Sequence, residues 1–276
     1  MALELLESLS LAGGAVNEDA FGHDGAAAVV LDGATPLGDA VMPGRSDAAW
    51  IAQFGARRVL AHLRDGMGPR KALRGALADA EKSFNALHLR EPEDVWQTPA
   101  AAMMLAARTR EGVEFLWFGD CAALVADGAG AVTLVGDAFD GKSRESEAAR
   151  QAAEDGNRPA TARQHHLQAL RARRNRINSG GYWLFTPSEK AAAHAARRVL
   201  NPGPGAVILL ASDGFLALAS DYGAYSAAGL MQAAMARGLD VLGEELRAIE
   251  EADAEGARFP RFKKSDDATA LLLRLS

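Results

Sequence analysis

Five short acidic segments are spread along this chain, and each lies where an apolar run gives way to a turn. They are Asn17–Ala20, Asp32-Gly33, Gly119-Asp120, Ser212–Gly214 and Asp266–Thr269. Mg²⁺ and Mn²⁺ prefer carboxylate, carbonyl and water oxygens as ligands. Two such ions held close together can activate a water molecule and bind a phosphoryl group. If the fold brings these segments together, they provide the ligands for a site of that kind.

The composition is that of an ordinary soluble globular protein. The 276 residues are 49% hydrophobic and 24% charged, which is ample material for a core. The net charge of -6 argues against a general nucleic-acid-binding protein. The single cysteine, Cys121, excludes an intrachain disulfide and fits a reducing compartment. We expect it to be a small buried residue rather than a nucleophile, because no activating base is recognisable nearby.

The N-terminal segment predicts a cytoplasmic location. Residues 1–7 are acidic and lack the basic region and the long apolar run of a signal peptide. No apolar stretch approaches the ~20 residues that are needed to span a bilayer. We therefore predict a cytoplasmic protein without a membrane partner.

The first third of the chain predicts a strand followed by two helices. The apolar run Ala26–Leu31 is typical of a buried strand that stops at Asp32-Gly33. Ser46 is suited to the N-cap of a helix, and Asp47 to its first turn. A second helix is predicted over Pro69–Leu89, with proline at its start.

The middle of the chain predicts a β region. Four short apolar runs are separated by turn residues: Ala100–Arg108, Val113–Phe118, Ala122–Ala126 and Ala131–Val135. Because the connections are short, they predict an antiparallel meander, with Asp120 in a hairpin-like turn.

The last third predicts further strands and helices. They are a helix from Ser188, a buried strand over 206–211, helices over 226–237 and 240–255, and a final strand over 268–275. A set of this kind favours antiparallel sheets packed together, with helices outside. Between the two halves, residues 142–176 hold nine Lys/Arg against four Asp/Glu, and the stretch at about 142–180 is predicted to be a basic, flap-like excursion.

Taken singly, each acidic segment also has a simple structural interpretation. Asp-Gly is a common turn dipeptide, and Ser-Asp favours a helix N-cap. The sharpest signal is Asp213, because an unpaired carboxylate after a fully apolar strand is costly unless a partner compensates for it. The side chains of Glu18 and Asp19 should point to opposite sides of an extended backbone, so one is expected as a direct ligand and the other in a supporting position.

Taken together, the segments resemble the metal-dependent type 2C serine/threonine protein phosphatases, as a divergent bacterial-type member. That family has Asn/Glu-Glu-Asp-Ala near its start, then a strand ending in Asp-Gly, and later Gly-Asp, Ser-Asp-Gly and Asp-Asn-x-Thr. The same order covers about residues 10–276 here, with Asp267 in place of the usual Asn. The resemblance implies an α+β fold: a four-layer αββα sandwich of two antiparallel sheets flanked by helices, as a single domain over residues 1–276.

The resemblance also implies two bound Mg²⁺ or Mn²⁺ ions. By position, Asp32 would bridge both ions. Glu18 and the Gly33 carbonyl would complete one site, and Asp213 and Asp266 would complete the other. The implied reaction is hydrolysis of phosphoserine or phosphothreonine in signalling proteins by a metal-activated water.

Two more residues have implied roles. Asp19 would hold a metal-bound water, which makes Asp32, Asp213 and Asp19 the predicted catalytic residues. Asp120, with Asp213, matches a weaker third metal site in family members.

One expected feature is missing. Most active relatives carry an Arg just before the first acidic segment, whereas the matching position here falls at or near Gly14. The basic excursion is one candidate source of a replacement cation, with Arg171 and Arg174 as the first choices and Arg163, Arg173 and Arg176 as others. The alternative for each of these is a solvated helix face. Two other functions stay open: a pseudophosphatase that binds a phosphorylated partner, and a hydrolase of a small phosphate ester.

Overall fold

The computed structural model describes residues 2–138 and 166–276. Within these ranges the strands are β1 (Leu3–Leu11), β2 (Asp19–His23), β3 (Ala27–Gly33), β4 (Ala101–Thr109), β5 (Gly112–Phe118), β6 (Ala122–Ala126), β7 (Val132–Val135), β8 (Ala196–Leu200), β9 (Val207–Ala211) and β10 (Ala268–Leu275). They form two five-stranded sheets, with the orders β1-β10-β9-β6-β7 and β2-β3-β4-β5-β8. Neighbouring strands are antiparallel throughout the described pairs.

Helices cover both outer faces of the sheet pair. They are α1 (Asp47–Arg64), α2 (Pro69–Leu87), α3 (Leu167–Arg174), α4 (Asp213–Ser220), α5 (Ala227–Arg237) and α6 (Leu239–Ala252), with short 3-10 helices at Val95–Gln97 and Glu189–His194. Helices α1 and α2 pack on the second sheet, and α4 to α6 pack on the first. The predicted αββα sandwich is therefore confirmed.

The apolar core lies in three layers. Met104, Phe115 and Leu210 fill the space between the sheets, and Cys121 is buried with them. The other two layers lie between each sheet and its helices. Cys121 is thus the small buried residue that its sequence context predicts. None of the described helices combines the length and hydropathy of a membrane span.

The elements with strong local signals lie close to their predicted positions. Strand β3 ends at Gly33, β9 covers 207–211 and β10 covers 268–275. The hydroxyl of Ser46 accepts a hydrogen bond from the Ala49 N–H, so it caps α1 as predicted. These signals locate the acidic segments at element ends.

The predicted meander is wrong at its centre. Strands β5 and β6 belong to different sheets, so the chain crosses from one sheet to the other at Gly119-Asp120-Cys121. Gly119 takes a φ of +68°, in the left-handed region that suits glycine. Asp120 therefore lies where the two sheets meet, and not in a hairpin.

The second half of the chain also differs from the expectation. The helix predicted from Ser188 is only a short 3-10 turn, and it leads into edge strand β8. Strand β1 and helix α4 are additional elements. Of the predicted excursion at 142–180, residues 142–165 lie outside the described residues, and α3 occupies part of the remainder. The assignment of residues 1–276 to one domain stays a prediction.

A glycine in the first turn of α4 is required by close packing. A Cβ atom at Gly214 would lie far inside van der Waals contact of the Asp267 carbonyl oxygen, which is backbone and cannot move aside cheaply. Alanine normally stabilises a helix by about 1 kcal/mol relative to glycine. At Gly214 the clash with the Asp267 carbonyl outweighs this gain, so alanine is expected to destabilise the protein there.

We expect Gly214→Ala to lower the free energy of unfolding by about 1–3 kcal/mol, the usual cost of overpacking. Urea denaturation measures this change. Gly128→Ala is the matched control, because a Cβ there meets nothing within 4 Å. A Gly214→Ala variant as stable as the wild type would contradict this account of the α4 contact.

Candidate metal centre

The sheet topology brings acidic segments from both halves of the chain to one end of the sandwich. Strands β9 and β10 are antiparallel neighbours, with Ala211 opposite Ala270. The end of β9 and the start of β10 therefore lie side by side. Asp213 follows the first of these strands and Asp266 precedes the second, so their backbones meet at the same edge.

Two acidic residues of the second sheet lie directly opposite each other. Asp19 on β2 pairs in register with Asp32 on β3. Like charges at directly opposed positions destabilise a sheet. This arrangement therefore needs either a proton or a cation between the strands.

Three remote carboxylates converge at this end. One ligand oxygen from each of Asp32, Asp120 and Asp213 lies within 4.8 Å of the other two. Asp213 also begins α4, where the helix dipole favours a negative charge. These residues come from β3, from the crossing between sheets and from the end of β9, and such a convergence could hold a divalent cation.

The carboxylates open into a cleft of about 610 Å³. Asp32, Asp120, Asp213 and Asp266 line it together with Gly33. A Cβ at Gly33 would come within 2.5 Å of the Glu18 carbonyl oxygen and 2.6 Å of that of Ala48. Glycine is therefore required here for β3 to approach the preceding loop and α1. Of the predicted ligands, Gly33, Asp32, Asp120, Asp213 and Asp266 thus share one cleft.

Glu18 is buried beside this cleft and is held by two hydroxyl groups. Thr35 Oγ1 donates to Glu18 Oε2 at 2.6 Å, and Ser46 Oγ donates to Glu18 Oε1 at 2.5 Å. The N-cap of α1 thus also fixes the Glu18 carboxylate. The direct metal contact predicted for Glu18 stays a prediction, and in the described contacts its carboxylate is anchored by hydroxyls.

Asp267 anchors the loop that carries the first acidic segment. Its Oδ1 accepts the Gly13 N–H and its Oδ2 accepts the Glu18 N–H, each at 2.7 Å. A carboxylate offers an acceptor oxygen to both donors, whereas an amide offers one oxygen and one NH₂ group. Aspartate at this position therefore satisfies both backbone donors.

One carboxylate oxygen of Asp19 accepts a hydrogen bond, and the other has no hydrogen-bond partner among the described residues. Its Oδ2 accepts the Ser212 hydroxyl at 2.8 Å, and the same hydroxyl accepts the Thr269 N–H at 2.9 Å. Its Oδ1 is buried and has no hydrogen-bond partner among the described residues. A buried carboxylate oxygen without a partner is costly, so this atom indicates a ligand or a bound water.

Burial and mutual repulsion perturb the acids of the centre. Burial raises the pKa of Asp19 to about 7, against an ordinary value of 3.8. Burial also raises the pKa of Asp32 and of Asp213 well above that value, and neighbouring carboxylates raise both further. Without a cation, burial and mutual repulsion therefore favour the protonated forms of these carboxyl groups.

A lysine lies beside the acids. Lys263 Nζ lies 2.7 Å from Asp266 Oδ1. Burial by itself would lower the pKa of Lys263, but Asp266 next to it raises the pKa by more, so the group remains an ammonium. Lys263 has no role among the sequence-based predictions, although its spacing of three from Asp266 is a usable signal.

The arginines of the basic excursion differ in placement. Arg171 donates to the Leu37 carbonyl at 2.7 Å and stacks over Trp96, so its guanidinium is engaged by neighbouring structure. Arg174 donates to the Thr35 carbonyl at 2.8 Å and lines the cleft, as does Arg173. This placement favours Arg174 over Arg171 for the predicted phosphate contact. Arg163 lies outside the described residues.

The chain belongs to the protein phosphatase 2C family, because the model of that family matches residues 10–247. No curated protein sequence matched the chain. The family assignment agrees with the order of the acidic segments along the sequence.

Solved structures share the fold at low sequence identity. The Mycobacterium tuberculosis serine/threonine phosphatase PstP/Ppp superposes with a TM-score of 0.60 at 17% identity, over 100% of both chains. The catalytic domain of PstP in complex with two manganese ions gives 0.58 at 14%, over 100% of this chain and 99% of that one. The PPM Ser-Thr phosphatase MsPP from Mycobacterium smegmatis, in complex with cacodylate, gives 0.55 at 19%, over 99% and 100%.

The double acceptor role of Asp267 generates a prediction about stability. Asp267→Asn would set an NH₂ group against one of the two backbone N–H donors, and a buried unmatched donor costs about 1–3 kcal/mol. We expect the free energy of unfolding to fall by that amount in urea denaturation. Asp39→Asn is the control, because the Asp39 side chain is 89% exposed. Equal stability of both variants would contradict the anchoring role.

The raised pKa of Asp19 generates a prediction about pH. Between pH 3.8 and about 7, the folded state keeps a proton on Asp19 that the unfolded state has released. Stability without metal should therefore fall as pH rises through this window, by up to about 1.4 kcal/mol per pH unit for this group. Above the window its contribution is constant.

Asp19→Asn isolates this effect, since asparagine does not titrate. With a chelator present, urea unfolding between pH 4 and 8 should show the variant gaining stability relative to the wild type as pH rises. A stability difference that does not change with pH would show that Asp19 titrates normally.

Proposed function

We propose that this protein is a metal-dependent phosphatase that hydrolyses phosphoserine or phosphothreonine in proteins. The observation that carries the proposal is the convergence of Asp32, Asp120 and Asp213 in a member of the protein phosphatase 2C family. Remote carboxylates that meet in an open cleft repel one another, and divalent cations offset this repulsion.

The residues fit hard cations. The donor set is oxygen only, Asp19 Oδ1 is an orphaned buried acceptor, and Asp19 lies opposite Asp32. Two Mg²⁺ or Mn²⁺ ions would be held by Glu18, Asp32, Asp213 and Asp266 with the Gly33 carbonyl. Asp120 would contribute to a third ion with Asp213. When bound, the ions would supply positive charge to the phosphoryl group and would lower the pKa of water.

The protein residues would orient the reactants. Ser212 fixes Asp19 Oδ2, which leaves Oδ1 as an acceptor for the attacking water. Thr35 and Ser46 would orient the Glu18 carboxylate as a ligand of the ions. The reaction would need no covalent intermediate on the protein, which agrees with the burial of Cys121.

The shape of the cleft supports a peptide substrate. It extends beyond the acidic centre, and its lining includes Arg174, Tyr182, Tyr222 and Phe259. Aromatic and basic walls around an anion site suit a phosphorylated side chain with its flanking backbone. Hydrolysis of a small phosphate ester, or binding of a phosphoprotein without hydrolysis, is a separate outcome of the test below.

Asp213→Asn should remove most Mn²⁺-dependent hydrolysis of p-nitrophenyl phosphate, by about 10²-fold or more, because it removes a charged ligand from the centre. Asp240→Asn is the matched control, since Asp240 is an exposed residue of α6. The assay compares wild type and both variants with Mn²⁺ and with a chelator.

Metal-dependent turnover that disappears only in Asp213→Asn supports the proposal. Equal rates in wild type and Asp213→Asn, or no turnover in either, would reject it. Phosphopeptides assayed beside p-nitrophenyl phosphate then separate protein substrates from small esters.

A further inference from the structure

We propose that Lys263 is the cation that holds the phosphoryl group of the substrate in this centre. This inference rests on the proposed phosphatase function and names one more binding residue for it. Lys263 comes from the loop before β10, and not from the basic excursion or from the segment around Gly14.

Lys263 lies next to the acidic centre. Its Nζ is 2.7 Å from Asp266 Oδ1, and it lines the same cleft as Asp32 and Asp213. Its side chain is 31% exposed, so the cleft gives a ligand access to it. The ammonium group is therefore both fixed beside the predicted metal ligands and open to the substrate side.

The ion pair between Lys263 and Asp266 leaves N–H donors on the lysine and one carboxylate oxygen on the aspartate for other ligands. Asp266 Oδ1 accepts from Lys263 and from the Asp267 N–H, so both of these described bonds use the same oxygen. The other oxygen, Oδ2, remains for a cation. An ammonium has three N–H donors, and Asp266 takes one, so the others remain for the oxygens of a phosphoryl group.

Two other cations of the cleft wall, Arg261 and Arg174, have structural partners. Arg261 donates to the Asp253 carboxylate at 2.8 Å and to the Lys264 carbonyl at 2.8 Å, and it also contacts the Glu250 carbonyl. Arg174 donates to the Thr35 carbonyl. Among the described ion pairs, the one that joins a cleft-lining cation to a predicted metal ligand is Lys263–Asp266.

Arg261 also explains why Lys263 is well positioned. Its bonds close the loop of residues 253–264 on itself, since they join Asp253 at one end to Lys264 at the other. The Asp253 carboxylate further accepts the N–H groups of Arg258 and Phe259. A loop constrained in this way presents Lys263 at low entropic cost, which suits a binding residue.

The chemistry matches a phosphate monoester. Its oxygens carry about two negative charges, and the ring of carboxylates would repel them. A lysine binds phosphate as a point charge. An ammonium at the edge of the acidic cluster therefore supplies the local positive charge that the carboxylates lack.

The alternative is that Lys263 only orients Asp266. The two roles differ in what is lost when the charge is removed. An orienting residue would support metal binding, so its loss would weaken Mn²⁺ affinity. A phosphate-binding residue would leave Mn²⁺ affinity unchanged or higher, because a competing cation at Asp266 is gone, and phosphate affinity would fall.

The test uses Lys263→Met, which keeps the length of the side chain without its charge, and Lys263→Arg, which keeps the charge. Lys264→Met is the matched control, because Lys264 is the next residue and pairs with Glu251 on α6 instead. Calorimetric titrations of the 276-residue chain measure first the affinity for Mn²⁺ and then the affinity of the Mn²⁺-loaded protein for inorganic phosphate. The KM for p-nitrophenyl phosphate is measured in parallel.

We expect Lys263→Met to weaken phosphate binding and to raise KM by about tenfold or more, the loss of one charge-assisted hydrogen bond. Mn²⁺ affinity should stay within about threefold or increase. Lys263→Arg should retain most phosphate affinity, and Lys264→Met should match the wild type.

Unchanged phosphate affinity in Lys263→Met, including the case in which neither protein binds phosphate, overturns the inference. So does a fall in Mn²⁺ affinity that accounts for the whole effect. The phosphate titration needs no turnover, so it decides the role of Lys263 even if the wild type hydrolyses nothing and the proposed function fails.

Discussion

Repulsion between buried carboxylates is the constraint on which the rest of this structure depends. Asp19 and Asp32 are cross-strand partners, and Asp32, Asp120 and Asp213 converge within a few ångströms. Such a cluster opposes folding unless protons or cations offset it. The two apolar sheets and their helices supply the stability that holds it together. The part of the molecule where like charges meet is thus also the part that could do chemistry, as expected for a functional site.

The support around the cluster is polar and comes from distant parts of the chain. Ser212 joins Asp19 to the start of β10, while Asp267 holds the loop before β2. Ser46 serves both as the cap of α1 and as a donor to Glu18. Glu18 and Asp19 therefore each have hydroxyl partners that fix their orientation. A loss of any of these hydroxyls or carboxylates should affect the geometry of the site before it affects the core.

Sequence patterns predicted much of the fold where the local signal was strong. Continuous apolar runs indicated β3, β9 and β10, the capping residue Ser46 indicated α1, and the proline at its start indicated α2. Strand β1 has a bulge between Leu5 and Glu7, which breaks the alternation that would reveal it. Strand β8 is an edge strand with two exposed arginines, so its pattern is not that of a buried strand.

The sequence predicted the acidic residues of the candidate site, but it did not predict the residues that support them. The order of the acidic segments carries the family resemblance, whereas the roles of Asp267, Ser212 and Lys263 depend on contacts between distant residues. The crossing at Asp120 was misassigned because a short connection reads locally as a hairpin, even when its two strands belong to different sheets. The length of a connection does not show whether the two strands that it joins pair with each other or belong to different sheets.

The anchoring of the first acidic loop by Asp267 has a consequence for how the protein is made. The bonds from Asp267 to Gly13 and Glu18 span 254 and 249 residues. At typical translation rates, roughly 12–50 s separate the synthesis of the two partners. During that interval the nascent chain carries β1 without β10, the strand that joins β1 to the first sheet. The acidic end should therefore assemble late, as one of the last events in folding, because such long-range contacts close slowly.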